Sequence, residues 1–253
     1  MENFNAKKTS EEIIQFIRNY YKDNNLKGAV IGISGGKDSG VVAGLVSLAI
    51  GSENVIGLKL PCHSTKEDSS LADKLSSHYG FPLYNCDLTE VFDVFEKSIG
   101  NGIKNIDNNN LKNSSINLKP RLRMSALYYV AALMSSQKNG TYIVIGTSNK
   151  SELYVGYFTK GGDNVNDLQI LSDLTCEEVI EVGAAIGVPN EILYRTPSDG
   201  LSNMSDEDKL GVKYSEISLY MNDPNSVSNE AKEKIETLHK NSSHKFNTQA
   251  YKK

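Results

Sequence analysis

Apolar residues recur at two spacings along the chain, and their alternation predicts most of the architecture. Ile13, Ile14, Phe16, Ile17 and Tyr20 fall at three- and four-residue steps behind Ser10, Glu11 and Glu12, which predicts an entry helix capped at Ser10. Residues 29–33, 55–60, 82–86 and 141–146 are short apolar runs of strand length. The first three are each followed by a helical pattern, at 41–50, 67–79 and 90–99. Strand, helix, strand in steady alternation predicts an α/β fold: a Rossmann-like, doubly wound parallel sheet with helices on both faces. The asparagine-rich stretch 101–117 predicts a loop. Residues 122–134, "LRMSALYYVAALM", are apolar nearly all round. Such a helix is either deeply buried or packed against another subunit. A further helix is expected at 176–186, and the remainder to residue 253 reads as a helical C-terminal region with little strand character. The length suits one domain, residues 1–253, with a substantial core.

Composition narrows the partners. The net charge is −4 with both signs interspersed, which argues against nucleic acid as the main partner, because duplex binding needs a clustered basic face to neutralise phosphates. Cys62, Cys86 and Cys176 are odd in number and far apart, which argues against a disulfide framework and suits a reducing compartment. Cys62 stands beside His63, but sequence neighbours at a strand–loop junction seldom face one another as a catalytic pair. The N-terminal stretch lacks the uninterrupted apolar core of a signal peptide, and no run approaches membrane-spanning length. These features predict a soluble cytoplasmic protein that handles small molecules.

The candidate chemistry begins at Ser34-Gly-Gly-Lys-Asp-Ser39, after the first strand. In a parallel sheet a glycine turn at this place exposes backbone N–H groups, and the following helix adds positive potential. Gly35 and Gly36 permit close backbone approach, while Ser34, Lys37 and Ser39 add donors for a phosphate. A common phosphate loop has serine or threonine directly after its lysine; here Asp38 intervenes. Aspartate beside phosphate requires a mediating cation, and Mg2+ takes carboxylate and phosphate oxygens together. Glu152, just past the fourth strand, supplies a second carboxylate for the same ion. Helix capping at Asp38 and a first-turn position for Glu152 explain the same residues without a metal.

The loop resembles the pyrophosphate loop of the N-type ATP pyrophosphatases. Within that superfamily "LPCHSTKED", "NLKPRLRMSALYY", "GTSNKSELYVGYFTKGGD", "PSDGL", "DEDKLGVKY" and a terminal "HK" resemble the ammonia-dependent NAD synthetases. The resemblance runs from the loop almost to the C-terminus. It implies ATP as co-substrate on Ser34, Gly35, Gly36, Lys37, Asp38, Ser39, Thr147 and Ser198, with Mg2+ on Asp38 and Glu152. It further implies that Asn117, Arg121, Lys160, Asp163, Asp167, His244 and Lys245 serve the acid dinucleotide, deamido-NAD, and that Lys37, Asp38 and Glu152 carry the catalysis. The expected reaction joins ammonia to the nicotinate carboxylate through an acyl adenylate, releasing AMP and pyrophosphate, in a homodimer. No nucleic acid or membrane enters it. The chain departs from the family pattern at Cys176, where a lysine is usual, and at Ser198, Asp199, Asn164 and Phe246. Those departures leave two rivals open: an adenylating ligase for another carboxylate, and a nucleotide-binding module without catalysis.

Overall fold

The structure is a computed structural model that describes residues 4–63, 66–103, 110, 114–195, 205–246 and 250–251. Five parallel strands form one sheet in the order β3-β2-β1-β4-β5: β1 Leu26–Gly32, β2 Val55–Lys59, β3 Leu83–Asn85, β4 Thr141–Gly146 and β5 Leu168–Gln169. Register places Ala29 against Val55 on one side and against Ile143 on the other, so β1 is central and buried on both faces. This is the doubly wound arrangement that the alternation predicts, with one addition. β5 is two residues long and pairs only at Ile145↔Leu168 and Gly146↔Gln169, too short to leave a periodic signal.

Helices cover both faces. On one lie α1 (Ala6–Asp23), α2 (Lys37–Ile50), α3 (Lys66–Tyr79) and α7 (Cys176–Ala185), packed around Ile17, Val41, Leu45, Leu75, Val179 and Val182. On the other lie α4 (Thr89–Gly102) and α5 (Leu118–Lys138), which close over Val30, Leu58 and Val144. Each fully buried aliphatic side chain of this kind contributes about 1.5–3 kcal/mol. The C-terminal region forms a third cluster: α6 (Lys150–Val155), α9 (Asp206–Leu210), α10 (Tyr214–Asn222) and α11 (Asn229–Phe246) meet around Val155, Tyr214, Ile217 and Ile235. The short α8 (Asn190–Leu193) plugs the main core with Ile192 and Leu193.

Two expectations change, and one of two alternatives falls away. The first helix is capped by Asn5, whose side chain accepts from Lys8 N, and not by Ser10. Ser10 is buried within the helix and donates its hydroxyl proton to Lys7 O at 2.8 Å. α2 starts at Lys37, so the end of the glycine loop is itself the first helical turn. The all-round apolar helix is not buried deeply: of α5 only Ala131 is buried, while Tyr129 and Leu133 remain 71% and 48% exposed. Within the predicted 101–117 loop, α4 continues to Gly102 and residues 104–109 and 111–113 lie outside the described ones.

Candidate active site

Strand order reverses between β1 and β4, because the chain winds outward to β2 and β3 and then returns to β4 on the far side of β1. Crevices at such a switch point, beyond the carboxyl ends of the strands, are where ligands settle in open α/β sheets. Here a cavity of about 610 Å³ opens between the loops after β1 and β4, the start of α5 and the end of α11.

The loop after β1 is braced by its own serines. Ser39 Oγ donates to Gly36 O at 3.0 Å and lies 3.1 Å from Ser34 Oγ, which accepts from Gly36 N at 3.2 Å. Gly35 turns the chain at φ 79°, the left-handed region that a side chain disfavours. Gly36 precedes α2 without any side-chain cap, so the first N–H groups of a 14-residue helix are left open towards the cavity.

Lys37 and Asp38 emerge from that turn. Lys37 Nζ lies 2.6 Å from Asp38 Oδ2, and the two side chains are 7% and 19% exposed. Burial is the largest single influence and opposes the lysine's charge, but Asp38, by charge and hydrogen bond, together with Cys176 and Glu152 outweighs it and holds the ammonium above its ordinary range. Asp38 Oδ1 accepts from Asn149 Nδ2 at 3.0 Å. Asn149 is wholly buried and caps α6: its Oδ1 accepts from Glu152 N, and Glu152 Oε2 accepts from Asn149 N. One amide therefore fixes the glutamate's helix and holds the aspartate. Burial first, and the Asp38 charge next, push the Glu152 carboxyl well above the ordinary carboxylate range. The pair is short of positive charge even with Lys37 beside it.

At the other end of the cavity, Asp163 Oδ2 accepts from Thr159 N at 2.7 Å, and Thr159 Oγ1 donates to Asn117 Oδ1 at 2.8 Å. Burial raises the Asp163 carboxyl's affinity for its proton. Lys245, from the last turn of α11, donates to Gly156 O and Phe158 O at 2.7 and 2.8 Å and stands over the Phe158 ring. Gly156 makes this docking possible: φ is 67°, and a Cβ there would meet Ser242 Cβ at 2.0 Å.

Of the residues singled out from sequence, Ser34, Gly36, Lys37, Asp38, Thr147, Asn117, Asp163 and Lys245 line this one cavity. Gly35 and Ser39 lie beneath the loop as its bracing, and Glu152 is partly buried behind Asn149. The others are placed differently. Arg121 points to the outer side, donating to Lys160 O, while Lys160 Nζ donates to His244 O at 2.6 Å. Asp167 is occupied within the fold, accepting from Tyr128 Oη at 3.0 Å and from Val144 N at 2.8 Å. Ser198 and Asp199 lie outside the described residues. Cys176 is buried on the first turn of α7; burial pushes its thiol up to about 12, with the Lys37 charge opposing.

Several cavity residues escaped the sequence reading: Lys119, Arg123, Tyr157, Arg195 and Asp206 all line it. Asn149, buried outside that lining, escaped it too, although "NKSE" is legible as a capping box. Arg123 stands one helical turn from Lys119 and donates through Nε to Leu60 O at 3.1 Å.

Comparison with known proteins shows the family. The family model described as NAD synthase matches residues 9–249. An NH(3)-dependent NAD(+) synthetase from Finegoldia magna is 38% identical over 242 residues, covering 95% of this chain and 94% of that one. Among solved structures, an NMN synthetase from Francisella tularensis superimposes with a TM-score of 0.87 at 32% identity, covering 99% of both chains. An NH3-dependent NAD synthetase from Campylobacter jejuni does so with a TM-score of 0.78 at 25% identity, covering 99% of this chain and 100% of that one. A match that includes both the loop after β1 and the helix that closes the cavity from the C-terminal side leaves one conclusion: the chain belongs to the NAD synthase family.

Proposed function

We propose that the chain is an ammonia-using ligase that amidates the nicotinate carboxylate of deamido-NAD with ATP, acting as a single catalytic unit in the cytoplasm. One observation carries the reading. In a member of the NAD synthase family, a single cavity joins an open helix N-terminus with the Lys37–Asp38–Asn149–Glu152 constellation to a second polar end at Asn117 and Asp163. The loop and Thr147, with Ser198, hold ATP; Asn117, Asp163 and Lys245 face the acid substrate. Arg121, Lys160, Asp167 and His244 support that end through the contacts already described.

Magnesium fits this donor set. Asp38 and Glu152, both held by Asn149, would take the ion from the protein side, and phosphate oxygens of ATP would supply further ligands. A cation beside Asp38 and Glu152 would also offset the burial and the Asp38 charge that raise the Glu152 carboxyl. When bound, it supplies neutralisation of the triphosphate charge.

The chain's own groups do the rest. A carboxylate oxygen attacks the α phosphorus, the bridge to the β phosphate breaks, and pyrophosphate leaves with the bonding pair into the field of Lys37 and the α2 N-terminus. Ammonia then attacks the acyl carbon, AMP departs with the C–O pair, and the nitrogen gives its extra proton to solvent. No protein nucleophile is required, in keeping with the raised thiols of Cys62 and Cys176.

A second reading of the acid substrate has its own support. The Francisella NMN synthetase is the more similar of the two structures compared, and a mononucleotide acid suits a cavity of about 610 Å³ that must also admit ATP. A dinucleotide requires further walls. A homodimer would provide them: Val91, Val94, Phe95 and Ile99 are exposed apolar residues on α4, and Tyr129 and Leu133 are exposed on α5, which α4 contacts. Mass detection of amide product from each acid, with ATP, magnesium and ammonium, decides between them. Turnover of neither acid, with no AMP formed, would reject both.

A further inference from the structure

α5 turns two cations into the cavity, Lys119 and Arg123, and neither belongs to the loop after β1. Lys119, Arg123 and Leu127 follow at four-residue steps on one face of the helix, and all three line the cavity. Leu127 shows where that face stands: its Cδ1 lies 3.7 Å from the place of a Cβ on Gly32, the last residue of β1. Arg123 is one turn, about 6 Å, nearer the start of α5.

The arginine's own anchor says which way that turn leads. Arg123 Nε donates at 3.1 Å to the carbonyl of Leu60, the first residue past β2. Register pairs Gly32 with Leu58, so two residues further on Leu60 stands level with Ser34 in the loop. The guanidinium is therefore fixed beyond the carboxyl ends of β1 and β2, on the α5 wall of the cavity that Ser34, Gly36 and Lys37 line from the loop side. Lys119 stands a turn further out, its ammonium 5.5 Å from the centre of the Phe92 ring.

The two walls suit different charges of one reaction. On the loop side Lys37 is already paired with Asp38, and the open N–H groups of α2 suit the departing pyrophosphate. As the acid's oxygen bonds to the α phosphorus and the bridge to the β phosphate breaks, the equatorial oxygens on that phosphorus carry much of the charge. We propose that Arg123 is a catalytic residue for this step: its guanidinium, held by Leu60 O, meets the non-bridging oxygens of the α phosphoryl group from across the cavity and neutralises them in the transition state. This rests on the adenylation set out under the proposed function. A planar fork with delocalised charge matches two oxygens on one phosphorus. Arg123 also reaches towards the acid end: burial raises the Asp163 carboxyl, and the Thr159 N–H and then the Arg123 charge oppose it.

The test compares Arg123→Gln, Arg123→Lys and Lys119→Met in the full chain by thermal unfolding, calorimetric binding of magnesium–ATP, and pyrophosphate–ATP exchange with deamido-NAD or nicotinic acid mononucleotide as the acid. Arg123→Gln should lose about 10²–10³ in exchange, the scale for one electrostatic stabiliser, with magnesium–ATP affinity within about threefold of the parent. Arg123→Lys keeps a charge without the fork and should lose about tenfold. Lys119→Met, a turn further out, should lose clearly less than Arg123→Gln. Parent-like exchange in Arg123→Gln overturns the proposal. So does a loss that appears wholly as weaker magnesium–ATP binding, or an equal loss in Lys119→Met, because either reduces the two cations to a general attraction for anions. Should Arg123→Gln fail to fold, the lysine variant decides, and parent-like exchange there also overturns the role. A parent that makes no AMP with either acid refutes the proposed function itself, so the two failures are told apart by which protein fails.

Discussion

Replacing Lys37 by methionine tests whether the buried ion pair exists for stability or for chemistry. Lys37 and Asp38 are 7% and 19% exposed and 2.6 Å apart, so solvent screens them little. Removing the ammonium leaves Asp38 facing Glu152 with only the Asn149 amide for support. Breaking one side of such a pair typically costs about 3–5 kcal/mol. At about 2–4 °C per kcal/mol for a chain of this size, Tm should fall by roughly 6–20 °C. Adding Asp38→Asn removes the stranded charge while its side-chain oxygen still accepts from Asn149. The double variant should regain most of the lost Tm, because buried pairs replaced whole are often neutral. Activity should not return: pyrophosphate–ATP exchange should stay down by about 10²–10³ in both variants, the scale for losing one electrostatic stabiliser. A double variant as unstable as Lys37→Met, or a single variant within 2 °C of the parent, by the estimate above, would refute the reasoning.

Other consequences are quicker to check. Gly156→Ala forces a side chain at φ 67° against Ser242, and should cost about 2–4 kcal/mol from strain and overpacking; limited proteolysis should then cut α11 first. Asp163→Asn keeps an acceptor for Thr159 N but removes the carboxylate charge at that end of the cavity, so amide formation should fall with Tm little changed. A variant with the parent's rate of amide formation would contradict the placement of Asp163. Thiol labelling at pH 7–8 should modify Cys86 before Cys62 and Cys176, the two buried cysteines whose thiols burial pushes up; mass spectrometry of the labelled peptides reads the order.

Much of this site was written in local sequence because its parts are local devices. The glycine turn, the lysine–aspartate pair and the first turn of α2 are contiguous, and "NKSE" caps its own helix. What local pattern could not show is which polar residue reaches the cavity. Arg121 and Arg123 are two positions apart on α5, so they point to different faces; one rests on Lys160 O outside while the other lines the pocket. Asp167 reads as a ligand contact in sequence, yet its two oxygens tie β4 to α5 through Val144 N and Tyr128.

The chain's alternating periodicities determined by themselves that a parallel, doubly wound sheet would form, since only that layering buries strands apolar on both faces. Tertiary structure alone decided that Asp38 and Glu152, far apart in sequence, would share one amide, that a two-residue β5 would complete the sheet edge, and that α5 would leave Tyr129 and Leu133 in the open. Those outcomes depend on contacts between distant segments, where side-chain direction and neighbouring charge, absent from any local window, set the geometry.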